Sequence, residues 1–148
     1  MDSYILNLIF PRPYLKSDSV YKYKEGIIQI PTESEKIPCY FQNNPESNDL
    51  LIVFHGNGSD MMKLPHYVAE ISSKYKINIL VPEYPGYSIY NSELCPEKCL
   101  ENSIIIYEFV LNNMKNITEK NIYILGRSLG SSVAIYLSSK RNPAGTFL

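Results

Sequence analysis

The chain has 148 residues, which is enough for one domain and leaves little room for a second. Hydrophobic residues make up 45% of it and charged residues 20%, so it can bury a core, and general disorder is excluded. The formal net charge is −1, and no cluster of Lys and Arg indicates binding to nucleic acid or to an anionic membrane. The three cysteines are an odd number and no secretory signal is evident, so we expect a cytoplasmic protein without a disulfide framework.

The first part of the chain predicts an irregular segment followed by a β-hairpin. Residues 1–20 contain prolines that forbid a regular helix, and we assign them to an irregular leading segment. The runs Gly26–Ile30 and Lys36–Phe41 are typical of two paired strands, joined by a turn at Pro31–Glu35. Pro38 cannot donate a hydrogen bond to a neighbouring strand, so we expect the second strand to lie at a sheet edge.

From residue 50 onward, predicted strands and helices alternate. Continuous apolar runs, typical of strands buried on both faces of a parallel sheet, occur at Leu50–Phe54, Ile77–Val81 and Asn121–Leu125. Helices are predicted at Leu64–Tyr75, from Pro96 onward and at Ser128–Ser139, and a last strand begins at Ala144–Leu148. This alternation predicts an α/β fold with a mostly parallel sheet and right-handed crossovers.

Two of the predicted helices carry an apolar stripe that we expect to face the core. In the first helix the stripe consists of Leu64, Val68, Ile71 and Tyr75. In the second helix it consists of Leu100, Ile104, Tyr107 and Leu111.

The sequence GRSLG places Ser128 between a predicted strand and a predicted helix. A serine on such a sharp turn forms the arrangement called a nucleophile elbow. Small residues at Gly126 and Gly130 suit it, because the strand and helix backbones crowd together there. The helix N-terminus also presents free N–H groups and a positive dipole end, which favour an oxyanion. The alternative is a glycine-rich turn that only lets a helix pack on the sheet.

A second glycine-rich turn, HGNG, directly follows the strand Leu50–Phe54. Two glycines in four residues let a backbone N–H point into the space above the sheet edge, as a second donor to an oxyanion. The alternative is a structural or phosphate-binding turn, but Met61 stands where a dinucleotide fingerprint needs a third glycine. We interpret His55 as a hydrogen-bonded support of this loop and not as a proton shuttle.

Three segments, LIVFHGNGSD, ILVPEYPGYS and NITEKNIYILGRSLGSSVA, resemble the α/β-hydrolase superfamily in this order. Within it, the chain is most similar to the eukaryotic branch that holds protein-depalmitoylating serine hydrolases and bud-emergence-type hydrolases. The resemblance implies a three-layer fold with an N-terminal antiparallel hairpin. It implies that residues 21–148 are the N-terminal part of a hydrolase domain, truncated after the nucleophile helix. Family strand order would place Asn121–Leu125 beside Leu50–Phe54.

The resemblance also implies the roles of the motif residues. Ser128 would be the nucleophile, and the backbone N–H groups of Asn57 and Leu129 would form the oxyanion hole. The residues implied to support these motifs are His55, Gly56, Gly126 and Gly130.

The chain departs from the family pattern at three points. Ser88 stands where the branch usually has glycine. No cysteine precedes Cys39, so the N-terminal lipid anchor of the depalmitoylating members is not supported. The family order is serine, then an acid, then histidine, whereas residues 129–148 contain no Asp, Glu or His.

Other chemistry-bearing residues give weaker signals. Cys95 and Cys99 lie four residues apart but have no further ligands at metal spacing, and His66 with His55 lacks a nearby acid for a zinc site. We interpret Glu83 as a carboxylate that braces its loop and not as a catalytic acid. We therefore expect no metal and no cofactor.

These observations predict a serine hydrolase that cleaves a carboxylic ester or thioester through an acyl-Ser128 intermediate, with its acid and histidine missing from the chain. An acyl-protein thioester is favoured on the resemblance alone. The alternative is a catalytically inactive truncated product or a partner-binding domain, and a peptidase of the same fold is not separated from an esterase. The expected partner is a small ester or an acylated protein, with no nucleic acid, and peripheral contact with a membrane is an option through that substrate.

Overall fold

The computed structural model describes residues 9–10 and 23–148. Within these residues, strands alternate with helices along one sheet. The strands are β1 (Ile27–Pro31), β2 (Lys36–Gln42), β3 (Leu50–Phe54), β4 (Asn78–Pro82), β5 (Ile122–Gly126) and β6 (Gly145–Phe147). The helices are α1 (Pro65–Tyr75), α2 (Pro96–Asn113) and α3 (Leu129–Lys140), with short 3₁₀ turns at Lys24–Gly26, Met61–Lys63 and Glu119–Asn121. Apart from Ile9 and Phe10, the predicted leading segment of residues 1–20 lies outside the described residues.

The described strands form one mixed sheet in the order β1-β2-β4-β3-β5-β6. The β1–β2 and β2–β4 pairs are antiparallel, and the β4–β3, β3–β5 and β5–β6 pairs are parallel. The predicted hairpin, the mostly parallel sheet and the placement of β5 beside β3 are therefore confirmed.

Helices cover both faces of the sheet, which gives the three-layer architecture. On one face, α2 and α3 pack against alternate strand residues such as Ile52 and Ile124. On the other face, α1 packs through Val68 against a smaller core that includes Ile79 and Val81. Because parallel strands are buried from both sides, their continuous apolar runs are explained by this layering.

The register between β3 and β5 sets the position of the two glycine-rich motifs. Phe54, the last residue of β3, pairs with Gly126, the last residue of β5. The turns that follow these strands therefore leave the same edge of the sheet at the same level.

The expectation that Pro38 marks an edge strand is wrong. β2 lies between β1 and β4, where both of its sides are paired. The β2–β4 ladder begins only at Cys39, opposite Pro82, and the Pro38 carbonyl accepts the Glu83 N–H at its end. Pro38 is tolerated inside the sheet because its missing N–H falls where that pairing stops.

The predicted apolar stripe of α1 is also partly wrong. Val68 is buried, whereas Ile71 is 38% exposed and Tyr75 is 64% exposed. These two side chains line an apolar groove beside β5 and β6, on the face of the sheet that α1 covers only in part. The other residues of this groove are Asp49, Leu51, Ile77, Tyr123, Leu125 and Phe147.

The stripe of α2 is shifted relative to its prediction. Tyr107 is fully buried as expected, but the other most deeply buried apolar side chains of α2 are Ile106 and Val110. The remaining predicted stripe residues, Leu100, Ile104 and Leu111, are partly buried against the same core. Among the helices of the described residues, none is long and apolar enough to cross a membrane.

We expect the 148-residue chain to self-associate through the apolar groove. Contiguous apolar surface next to the short edge strand β6 favours association between copies. The change Ile71→Lys should therefore shift sedimentation toward monomer. The matched control is Ile135→Lys, because Ile135 is 54% exposed but lies on α3, on the opposite face. A monomer at every concentration for the unmodified chain would contradict this prediction.

Candidate active site

Ser128 occupies a sharp turn between β5 and α3. Its backbone has φ 52° and ψ −114°, a conformation that costs free energy for a residue with a side chain. The side chain is exposed, and the turn is closed by hydrogen bonds from the Gly130 N–H to the Arg127 carbonyl and from the Ser131 N–H to the Ser128 carbonyl. The predicted strand–serine–helix geometry is therefore present.

The two glycines that flank Ser128 are needed for packing. A Cβ on Gly130 would lie 2.0 Å from the Phe54 carbonyl oxygen, on the neighbouring strand. A Cβ on Gly126 would lie 2.5 Å from the Gly130 carbonyl oxygen. The sharp turn exists because α3 packs directly on the backbones of β3 and β5.

The HGNG turn lies against the Ser128 turn. A Cβ added to Gly56 would lie 3.6 Å from the Ser128 Cβ and 3.4 Å from the Arg127 carbonyl oxygen. The Arg127 N–H also donates to the Phe54 carbonyl at 3.0 Å. The two glycine-rich motifs, separated by about half the chain, thus form one site at the edge of the sheet.

Two backbone N–H groups of this site have no hydrogen-bond acceptor among the described residues. Within the described residues, the N–H groups of Asn57 and Leu129 have no backbone acceptor. Leu129 is the first residue of α3, so its N–H also lies at the positive end of the helix dipole. This arrangement can stabilise an oxyanion that forms on a carbonyl attached to Ser128.

A buried carboxylate holds the HGNG turn in place. Oε1 of Glu83 lies 2.8 Å from Nε2 of His55, and both side chains are buried. Glu83 also accepts the backbone N–H groups of Met61 at Oε2 and Tyr84 at Oε1, both at 3.0 Å. Nδ1 of His55 contacts the Gly56 carbonyl oxygen at 3.1 Å. Glu83 therefore braces the loop as expected, and both ring nitrogens of His55 are already engaged.

Two tyrosines, which the sequence motifs alone did not indicate as site residues, complete the support. The Tyr84 hydroxyl donates to the His55 carbonyl at 2.7 Å, and the Tyr87 hydroxyl donates to Oδ1 of Asn57 at 2.9 Å. Burial raises the pKa of Tyr84 far above its ordinary value, so its hydroxyl remains a donor. The available signal was their place in EYPGY, directly after a strand that ends at the same sheet edge.

An apolar cavity of about 210 Å³ opens beside the site. Leu129 and Tyr87, which border the Ser128 turn and the HGNG turn, form part of its wall. The other residues that line it are Phe10, Tyr84, Leu94, Pro96, Cys99, Leu100, Ser132, Val133 and Tyr136. Burial raises the pKa of Cys99 to about 12, so this thiol is not a second nucleophile.

The family match agrees with this geometry. Residues 8–141 match the family model described as steryl acetyl hydrolase, Say1/Mug180. The chain belongs to the steryl acetyl hydrolase family. The α/β-hydrolase resemblance is thereby confirmed.

Individual curated relatives of this chain are described as α/β hydrolases. The α/β hydrolase L404 of Acanthamoeba polyphaga mimivirus is 30% identical over 136 residues, covering 89% of this chain and 51% of its own. Human α/β hydrolase domain-containing protein 17B is 25% identical over 118 residues, covering 79% of this chain and 41% of its own. The chain spans about half the length, or less, of these curated relatives.

Solved structures support the fold. An α/β hydrolase from Vibrio vulnificus superposes with a TM-score of 0.76 at 15% identity, covering 95% of this chain and 54% of its own. The Pyrococcus furiosus esterase Pf2001 superposes with a TM-score of 0.64 at 22% identity, covering 84% of this chain and 51% of its own. At these identities the likeness shows the fold alone.

The chain has two histidines, and neither forms a hydrogen bond with Ser128 among the described residues. His55 is held by Glu83 and the Gly56 carbonyl. His66 is exposed near the start of α1, where its ring lies 6.2 Å from that of Tyr67. In the described part of the chain, no group of three His, Cys, Asp or Glu residues could hold a metal ion.

Ser88, the departure noted in the sequence, carries strain. Its φ is +46°, and its hydroxyl is buried without a hydrogen-bond partner among the described residues. We expect Ser88→Gly to raise the free energy of unfolding by about 1 kcal/mol, because glycine adopts this backbone without a Cβ clash. Chemical denaturation measures the change. Ser139→Gly, in the exposed last turn of α3, should instead destabilise the protein. A loss of stability in Ser88→Gly would contradict the prediction.

Proposed function

We propose that Ser128 is the nucleophile of a hydrolase that cleaves a carboxylic ester or thioester. The observation that carries the proposal is the exposed Ser128 on its strained turn, beside two available N–H groups. The strained backbone lifts the hydroxyl above the end of β5, and the glycine-rich turn beside it leaves room for a planar carbonyl group.

The proposed reaction has two half-reactions. Ser128 Oγ attacks the substrate carbonyl, its proton passes to a base, and the N–H groups of Asn57 and Leu129 stabilise the oxyanion. The tetrahedral intermediate collapses, the protonated alcohol or thiol leaves, and an acyl-Ser128 ester remains. Water then attacks that ester and releases the acid and the free serine hydroxyl.

We propose that the base and its orienting acid come from polypeptide outside these 148 residues. His55 cannot serve, because its ring braces the oxyanion turn. No Asp, Glu or His follows Ser128 in the chain. The proposed base is a histidine with a partnering Asp or Glu, as the order of residues in this fold would have it.

Two classes of substrate are consistent with the site. The family description names steryl acetyl esters, and the motif resemblance favours an acyl-protein thioester. Both join a carbonyl to a lipophilic group. The acyl chain of the thioester agrees with the apolar cavity beside Leu129, and the sterol of an acetyl ester would lie outside that cavity. The substrate would be a small ester or an acylated protein, and contact with a membrane would occur through that substrate.

The test is covalent labelling of Ser128 by a fluorophosphonate in a completed protein. The chain would be joined to the half of the mimivirus relative that lies outside the match. Labelling of the fusion that disappears in its Ser128→Ala variant is the expected result. An unlabelled fusion that folds cooperatively would overturn the assignment of Ser128.

A second candidate function is a catalytically inactive domain that binds a partner. The observation that favours it is the exposed groove around Ile71 and Tyr75, together with the absence of a free histidine at Ser128. The same fusion experiment separates the two functions. An inactive domain would stay unlabelled even when a histidine and an acid are supplied.

A further inference from the structure

The cavity beside Leu129 has a composition that selects a hydrocarbon. Its wall is formed by aromatic and aliphatic side chains from α2, α3 and the loop after β4. Among the described residues that line it, the only ionisable side chains are tyrosines and Cys99. Burial raises the pKa of Tyr84 and of Cys99, so both groups stay neutral. A charged or strongly polar group would lose its hydration here without finding an ion partner.

The position of the cavity connects it to the reacting carbonyl. Leu129 contributes both its side chain to the cavity wall and its backbone N–H to the proposed oxyanion hole. Tyr87 lines the cavity and donates to the side chain of Asn57, the other proposed donor residue. A carbonyl held by these N–H groups would therefore have one substituent at the mouth of the cavity.

The volume limits what this substituent can be. An apolar cavity of about 150 Å³ holds benzene, which corresponds to about 25 Å³ for each carbon atom. By that measure a cavity of about 210 Å³ accepts roughly eight carbon atoms of an unbranched chain. The four-ring nucleus of a sterol needs roughly twice this volume.

We propose that this cavity is a subsite for an unbranched hydrocarbon chain of about eight carbons attached to the scissile carbonyl or to its leaving oxygen or sulfur. This inference rests on the proposed function for its place in the reaction. The sterol nucleus does not enter the subsite, and a longer acyl chain, such as palmitoyl, extends past its mouth.

Equilibrium binding tests the subsite independently of catalysis. Unbranched carboxylic acids from butanoate to dodecanoate would be titrated into the Ser128→Ala chain, with the ring resonances of ¹³C-labelled tyrosine as the readout. Affinity should rise about fourfold with each added methylene up to about eight carbons and then level off. Affinity that depends on chain length neither for these acids nor for the 1-alkanols of the same lengths would overturn the subsite, and so would affinity that still rises at twelve carbons.

A matched pair of serines on α3 controls for folding. Ser132 lines the cavity and Ser139 does not; both are exposed, and each hydroxyl donates to the carbonyl three residues earlier at 2.7 Å. Ser132→Phe should lower octanoate affinity at least tenfold, whereas Ser139→Phe should leave it unchanged. Equal affinities in the two variants would contradict the location of the subsite.

A second series of ligands identifies which part of the substrate, the acyl group or the leaving group, carries the hydrocarbon that occupies the subsite. Binding of octanoate assigns the subsite to the acyl group, and binding of 1-octanol without octanoate assigns it to the leaving group. Failure of both ligands to bind overturns the proposal. Because ligand binding is measured on the Ser128→Ala chain, which lacks the nucleophile, a completed protein that folds but is not labelled by fluorophosphonate would refute the proposed function and leave this measurement standing.

Discussion

The 148-residue chain is expected to hydrolyse activated esters no faster than its Ser128→Ala variant. A serine hydroxyl needs an adjacent base, and both ring nitrogens of His55 are engaged by Glu83 and Gly56. In a serine protease, loss of triad residues lowers kcat by about a million-fold. The strained turn and the free N–H groups alone therefore leave only residual catalysis.

Hydrolysis of a p-nitrophenyl ester and fluorophosphonate labelling measure this prediction. The unmodified chain, Ser128→Ala and His66→Ala should give equal rates and negligible labelling. Labelling of the chain that is lost in Ser128→Ala would show that a base is already present. Loss of that labelling in His66→Ala would identify His66 as the base, and its persistence would point to another group.

Replacing Gly130 with alanine is expected to produce the largest loss of stability. The new Cβ would lie 2.0 Å from the Phe54 carbonyl oxygen and 2.9 Å from that of His55, and both of these are backbone atoms. Helix α3 would have to move off β3, so the cost should be at least about 3 kcal/mol. For a domain of this size, the melting temperature should fall by roughly 6 to 12 °C.

A second glycine substitution separates a packing clash from backbone strain. Gly58 has φ +73°, but a Cβ there would meet nothing within 4 Å. Gly58→Ala should therefore cost only about 1 to 2 kcal/mol, the price of a left-handed backbone for a residue with a Cβ. Thermal unfolding followed by circular dichroism measures both variants. Equal losses would show that α3 does not pack on β3 as closely as the structure has it.

The stabilising change Ser88→Gly and the destabilising change Gly130→Ala act on opposite sides of one site. Ser88 lies in the loop that supports Asn57 and His55 through neighbouring tyrosines, and relief of its strain should leave that support intact. The close packing of Gly130 on the Phe54 carbonyl fixes how near the first turn of α3, including Leu129, lies to the sheet. Labelling in a completed protein should therefore survive Ser88→Gly and fall in Gly130→Ala.

Local sequence accounts for much of the architecture. The apolar run at Leu50–Phe54 and the run at Asn121–Leu125 indicate buried strands, and the structure places strands there within one residue. The turn at Ser128 was equally visible, because a glycine on each side of a serine between a strand and a helix has few structural uses. Such features depend on periodicity and on backbone freedom, which act over a few residues.

Only the tertiary structure could decide the features that depend on distant partners. Pro38 became an interior residue because β4, some forty residues later, pairs with β2 just beyond it. Ile71 is exposed because α1 covers one part of its sheet face and leaves the part near β6 open. The joining of His55 to Glu83 and the cavity beside Leu129 likewise form between segments that meet only when the strands align. Side-chain periodicity defines the apolar face of an element, but the neighbours that cover that face are selected by long-range packing.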